Sequence, residues 1–268
     1  MVLLYVLAGI LFAAVTIILL IVRYIYYPRN DRKKKKLAKD YIASKFDDLV
    51  SLRAILCIDR NSGILLYSFI PGADDEGFKL KSPEFTSSVL HTFKALGSDM
   101  GFKNQNFTRM QFENYSIVSK MGHHCQVVVV SRTEPSTVME DNLLLFCKGF
   151  EKKYFNKFYE NKSVIRTDEF IDAIDLVREC FDTFFIESLD LLYDPSFMDE
   201  EDVSPLSKII LREAKLQNEK DHTVVLKKLF IHMYGNNIDD IQQKYKKEEI
   251  LFEIFQLFKH NYFKYYNS

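Results

Sequence analysis

The sequence predicts an α+β fold: a five-stranded antiparallel sheet with flanking helices, preceded by an N-terminal transmembrane helix and followed by an all-helical C-terminal extension. Three observations carry that reading. Residues 1–22 hold no charged side chain. Between residues 52 and 130 the chain breaks into five short apolar or alternating runs, with one stretch of helical period between the second and third. From residue 135 onward, apolar residues recur at spacings of three and four.

The first segment is read from its length and its flanks. At a helical rise of about 1.5 Å, roughly 20 apolar residues span a hydrocarbon core about 30 Å thick. A cleaved signal peptide would need a basic start and a small-residue cleavage site. No Lys or Arg precedes this run, and no A-x-A-like site closes it. It ends instead at Arg23, then Tyr24, Tyr26 and Tyr27, then a basic cluster. Aromatic residues followed by basic ones match an interfacial belt and a cytoplasmic flank. The expectation is a single uncleaved span over residues 1–27, a signal-anchor with the N-terminus outside and the C-terminal domain in the cytosol.

Residues 28–47 then read as a basic juxtamembrane linker, with 37–48 a short helical or flexible connector. Arg29, Arg32, Lys33, Lys34, Lys35 and Lys36 are candidate lipid-headgroup contacts, each attracted to an anionic surface by about 1 kcal/mol. The same residues also serve as a topology signal and need no further role for that. The whole chain carries a net charge of -1, which argues against a nucleic-acid partner. Its four cysteines, Cys57, Cys125, Cys147 and Cys180, are widely spaced, and no C-x-x-C pair occurs. Reduced, buried thiols fit that spacing better than a disulfide framework.

The sheet elements follow in order. Leu52–Asp59 is apolar and β-branched and reads as a strand. Asn61, Ser62 and Gly63 make a turn, and 64–70 is the return strand, stopped by Pro71 and Gly72. Ser82 is an N-cap candidate with Pro83 at the first helical position, and Phe85, Val89, Phe93 and Leu96 form one helical face. Three strands are expected at 107–112, 115–120 and 123–130. The last contains four consecutive valines, as in a strand covered on both faces. Helices follow at 135–159 and from Thr167, with Phe170, Ile174, Val177, Phe181 and Phe184 as the stripe of the second. Beyond Ile186 no strand-like alternation is seen. Helices are expected at 205–218, 223–234, 237–245 and 248–266, with Asp194-Pro195 and Asp199-Glu-Glu-Asp202 as a linker. The boundaries are thus 1–27, 28–47, 48–186 for the sheet domain and 187–268 for the helical extension.

Two strands, a helix, three strands and two helices is an order that resembles the longin domain, within the profilin-like group that also holds roadblock domains. The resemblance covers about residues 48–186. It rests on that order and on local texture: Ala54-Ile-Leu-Cys-Ile-Asp-Arg-Asn-Ser-Gly-Ile-Leu-Leu-Tyr for the opening hairpin, Phe112-Glu-Asn-Tyr-Ser-Ile-Val for the central pair, and Phe150-Glu-Lys-Lys-Tyr-Phe with Phe170-Ile-Asp-Ala-Ile for the closing helices. It implies the first helix on one sheet face and the last two on the other. Longin domains usually begin their chains, so the preceding apolar segment departs from the pattern. Roadblock domains are the near alternative, and their sheets often pair edge to edge.

Motifs for chemistry are sparse. The chain has no G-x-x-x-x-G-K-[ST], no G-x-G-x-x-G and no G-x-S-x-G. His123 and His124 are adjacent strand residues and point to opposite faces, which suits no shared ion. Asp199–Asp202 lacks the alternation, the glycine and the closing Glu of a calcium loop. No catalytic, cofactor or metal residues are assigned, and no enzymatic activity is expected. Longin and roadblock domains bind proteins, among them small Ras-like GTPases, other longin-type domains and short peptide segments. The resemblance therefore implies a membrane-anchored adaptor in vesicle trafficking. Its candidate partner surface is Ser88, His91, Thr92 and Lys94, which lie off the apolar stripe of the first helix, together with the neighbouring sheet edge. The alternatives are a lipid-handling protein, with the aromatic C-terminal helices as a cavity wall, and an enzyme of unrecognised type.

Overall fold

The computed structural model describes residues 27–71, 109–159, 167–192, 203–235 and 244–266. Within them the chain is α+β. Strand β1 (Leu52–Asp59) is buried along its whole length. It pairs antiparallel with β2 (Leu65–Phe69) on one side and β5 (Cys125–Ser131) on the other. Strand β4 (Ser116–Met121) follows β5, and β3 (Arg109–Gln111) follows β4, so the order is β2-β1-β5-β4-β3. The first turn is built as its residues dictate. The Asp59 carboxylate accepts from the Asn61 N–H at 3.0 Å and the Ser62 N–H at 2.6 Å, and Gly63 takes φ 72°.

The valines of β5 divide between two faces. Val127 and Val129 point into the main core with Ile55 and Cys57, while Val128 and Val130 join Ala54, Leu56 and Ile58 on the opposite face. Both sets are buried, as four consecutive β-branched residues require. The helix expected from Pro83 onward lies outside the described residues.

The main face is covered by α2 (Thr137–Lys153) and α4 (Ala173–Phe181), with the short α3 (Phe155–Tyr159) between them. The single helix expected over 135–159 is interrupted at Tyr154, which is buried and leaves helical geometry at φ -109°. A 3-10 turn, Thr167–Phe170, occupies the expected start of the next helix. It delivers Phe170 into the core, where its ring lies 5.4 Å from Phe150 and 4.9 Å from Tyr154. Packing of that ring outweighs the local preference for an N-cap at Thr167.

Residues 27–51 form one long helix, α1 (Tyr27–Ser51), so the stretch 28–47 expected as a linker is regular structure. Ile42, Phe46 and Leu49, at spacings of four and three, put its second half into the main core. Asp48 fixes where α2 begins. Its carboxylate accepts from the backbone N–H of Ser136 at 2.9 Å and from the Ser136 hydroxyl, while that hydroxyl oxygen accepts from the Met139 N–H at 3.3 Å. One buried acid on α1 thereby holds the N-cap of α2.

The membrane-spanning helix expected over 1–27 needs correction. Among the described residues, no helix is long and apolar enough to cross a membrane. Where the expected span meets described structure it enters α1, a helix with a lysine run at residues 33–36 and a core-packed second half. Residues 1–26 lie outside the described residues. With the span go the readings built on it: the signal-anchor, the membrane as partner, the single-pass topology and the cytosolic assignment of the C-terminal domain.

The C-terminal part shares the core of the sheet domain. It comprises α5 (Pro205–Asp221), α6 (Leu226–Gly235) and α7 (Lys247–Lys259). Ile210, Leu211, Leu229, Phe230, Ile250 and Ile254 belong to the same buried cluster as the sheet valines. Helix α7 lies along α1, tied by Lys39–Glu249 at 2.9 Å and Lys247–Asp47 at 2.5 Å. Two short strands were not foreseen, β6 (Leu189–Leu191) and β7 (Phe263–Tyr265), which pair antiparallel. Each is only three residues long, too short for alternation to register as a pattern. The aromatic end of the chain completes the core here: Phe263 is buried, and Tyr262 and Tyr265 pack against the cluster.

Between the two parts sits a knot of phenylalanines. The Phe46 ring centroid is 5.3 Å from Phe185 and 4.8 Å from Phe230, and Phe184 stacks on Phe258 at 4.1 Å. Phe46→Ala and Phe184→Ala are each expected to lower unfolding stability by about 3–5 kcal/mol. Urea unfolding of the parent chain, followed by far-UV circular dichroism and by tyrosine fluorescence, is expected to give coincident transitions. Two resolved transitions would mean that the sheet and the C-terminal helices do not share one cooperative core.

Candidate functional site

Strand β3 is where the sheet ends, and its residues explain why it ends there. Only three residues pair with β4, and Arg109 and Gln111 are exposed. Short, charged strands are how sheets limit edge-to-edge pairing. The opposite edge is covered: the turn Thr167–Phe170 and α4 both pack on β2. Among the described residues β3 has a paired neighbour on one side only.

A charge network holds this edge against α2. The Arg109 guanidinium donates to both Glu134 and Glu140, and Lys120 on β4 donates to Glu140 at 2.6 Å. The hydrogen bond from Lys120, reinforced by that from Arg109, holds the Glu140 carboxyl below its ordinary range. Just past β3, Phe112 and Tyr115 stack at 4.6 Å across the tight turn, closed by the Phe112 N–H donating to the Tyr115 carbonyl at 2.8 Å. Phe112 is 40% exposed, an aromatic side chain beside the strand that, among the described residues, ends the sheet.

A second exposed feature is the outer surface of the helix pair. Gly149 lets α4 approach α2 closely: a Cβ there would meet Leu176 at 3.0 Å. Leu145 lies one turn before Gly149 on the same face of α2 and is 59% exposed, and Leu144 beside it is also exposed.

The residues singled out from the sequence distribute as follows. Ser88, His91, Thr92 and Lys94 lie outside the described residues. The side chains of Arg29 and Arg32 do also, whereas Lys33, Lys34, Lys35 and Lys36 are exposed on α1. Lys35 and Lys36 line an open cleft with Lys39, Lys246 and Glu249. His123 is exposed, and His124 stacks on Phe158 at 5.1 Å. His222 caps α5 in the left-handed region, φ 60°, and His232 stands 3.8 Å from Glu213. Asp199–Asp202 lies outside the described residues.

The cysteines come closer together than their spacing suggested. Cys57 on β1 and Cys125 on β5 sit on the same face of neighbouring strands, and Cys147 reaches them from α2, with its sulfur 3.7 Å from that of Cys125. The hydrogen bond to Cys125, then burial, push the Cys147 thiol well above its ordinary range, and burial does the same to Cys57. The spacing of Cys147 and Glu151, four apart on one helix, was the signal in the sequence that a thiol and a carboxylate share a face.

Comparison with known proteins finds no match, either to a family model or to a curated protein.

The Glu140 network gives a pH prediction. A carboxyl held low in the folded state contributes stability that is complete above its ordinary value of 4.5 and is lost as pH falls through the folded value. Glu140→Gln is expected to flatten the decline of stability below about pH 4.5 and to leave a smaller difference between pH 4 and pH 7 than the parent shows. Urea midpoints across that range measure it. An unchanged acid limb would mean that the network is too solvated to matter.

Proposed function

We propose that this chain is a longin-like protein-binding module, an adaptor that recruits its partner at the β3 end of the sheet. The single observation behind the reading is the placement of elements: a β2-β1-β5-β4-β3 antiparallel sheet with α2 and α4 together on one face and β3 paired on one side only. The resemblance read from the sequence implies the two closing helices on a common face, and the structure supports it there. The exposed strand offers backbone donors and acceptors, and Phe112 offers an aromatic anchor beside them. The partner class that the resemblance implies is a small Ras-like GTPase or another longin- or roadblock-type domain.

Lipid handling has less support. Two open clefts among the described residues are lined largely by charged and polar side chains, not by the continuous apolar wall that a lipid chain needs.

The test is affinity capture with the full chain as bait against Ras-like GTPases from the same cells, loaded in each nucleotide state. Retention of one of them is expected, with Phe112→Ala weakening it about tenfold or more while leaving the fold intact. Failure of a folded bait to retain any GTPase removes that partner class. Retention that Phe112→Ala leaves unchanged removes the β3 edge as the surface.

A further inference from the structure

Where β4 turns into β5, the chain brings two thiols and a carboxylate to one point. Cys125 opens β5, and Cys147 and Glu151 stand one turn apart on α2 above it. Their ligand atoms all lie within 4.8 Å of one another. We propose that Cys125, Cys147 and Glu151 form a binding site for one thiophilic divalent cation of the zinc class.

The sulfur geometry is the first support. Two metal–thiolate bonds of about 2.3 Å at the tetrahedral angle put their sulfurs about 3.8 Å apart. The Cys125 and Cys147 sulfurs are 3.7 Å apart, so both reach one ion without backbone movement. The thiols' own contacts are long. Cys147 has the Cys125 carbonyl at 3.9 Å besides the sulfur contact.

The carboxylate is the second. Glu151 Oε1 accepts from the backbone N–H of His124 at 2.6 Å and from that of Cys125 at 3.1 Å. Those donors orient the carboxylate toward the thiols, as outer-shell bonds orient a metal ligand, and leave the lone pairs of Oε2 for the ion. A half-buried carboxylate facing two sulfurs is an arrangement that a divalent ion completes.

Gly122 is the third. A Cβ at this turn position would come within 2.2 Å of Glu151 Oε1 and 2.8 Å of the Cys147 sulfur. Any other residue would displace both ligands, so the turn is shaped around the pair. Gly122 and His124 are only half-buried, which leaves a way in from solvent.

The donor set selects the ion. Two thiolates and one carboxylate suit Zn(II) and its analogues Co(II) and Cd(II), and do not suit the all-oxygen preference of Ca(II) or Mg(II). Binding requires both thiols to ionise, so each ion taken up releases two protons from the thiols to solvent. Cys57 on the neighbouring strand β1 faces the same core but stands outside the three-ligand set.

The experiment is a titration of the reduced full chain, stripped of metal, with Co(II). One equivalent is expected to develop thiolate-to-cobalt charge transfer in the near ultraviolet and the strong visible bands of tetrahedral cobalt, both abolished by one equivalent of Zn(II). A pH indicator in weak buffer should record two protons per ion. Cys147→Ala is expected to remove the charge-transfer band, Glu151→Gln and Gly122→Ala to weaken binding by about tenfold or more, and Cys57→Ala to keep one ion per chain. Circular dichroism reports whether each variant is folded. Glu151→Gln, at a half-buried position, keeps the question open to test if the cysteine variant does not fold. The proposal is overturned if the folded parent chain shows no charge-transfer band, or if Glu151→Gln and Gly122→Ala both bind as the parent does.

Discussion

Everything in this molecule depends on the packing of five phenylalanines at one seam. Phe46 comes from α1, Phe184 and Phe185 from the 3-10 turn that ends the sheet domain, Phe230 from α6 and Phe258 from α7. The seam is held from outside by charge. Asp182 takes the left-handed conformation after α4, φ 55°, and receives Lys45 at 2.5 Å. Four residues before that corner and five after it, Arg178 and Glu187 meet at 2.7 Å, with the Arg178 guanidinium 4.2 Å above the Tyr265 ring. Burying aromatic area supplies the driving force, and the ion pairs fix the angle at which the chain turns. Had the corner opened, α1 would have had no floor and β6 no partner in β7.

The same seam explains why some features were legible in the sequence and others were not. The valine run of β5, the Asn61-Ser62-Gly63 turn and the stripes of α2 and α4 are set by neighbours a few residues away, so periodicity reveals them. Where long-range packing decides, the local pattern misleads. Thr167 has the marks of an N-cap, yet Phe170 enters the core and the helix starts at Ala173. Residues 37–48 look like a connector because their charged face dominates, although Ile42 and Phe46 within them, and Leu49 just after, are buried in the core. The apolar opening of the chain suggested a membrane span. The described structure that follows it instead shows a helix committed to the core.

The chemistry was legible only in halves. Cys57 and Cys125 fall on strands legible in the sequence, while the register between β1 and β5 puts them on one face. That Cys147 and Glu151 stand over them depends on where α2 crosses β5, which is set by the Asp48–Ser136 contact between segments far apart in the chain. The edge at β3 behaves likewise. The turn between Phe112 and Tyr115 is visible in the sequence, while the bracing of Arg109 and Lys120 by Glu140 is a product of the same crossing.

The pairing of α1 with α7 also governs the order in which the chain can be finished. Lys39 and Glu249 are 210 residues apart, and Asp47 and Lys247 are 200 apart. At about 5–20 residues per second, synthesis leaves roughly 10–40 s between the appearance of α1 and of its cover. For that interval Ile42, Phe46 and Leu49 have only part of their final surroundings. The helix that braces the sheet domain is therefore among the first elements made and among the last to be closed over. A nascent chain of this protein carries an apolar stripe on α1 that is covered in steps, Phe46 by Phe185 and Phe230 before α7 is made, which makes the interval a natural point of engagement for chaperones.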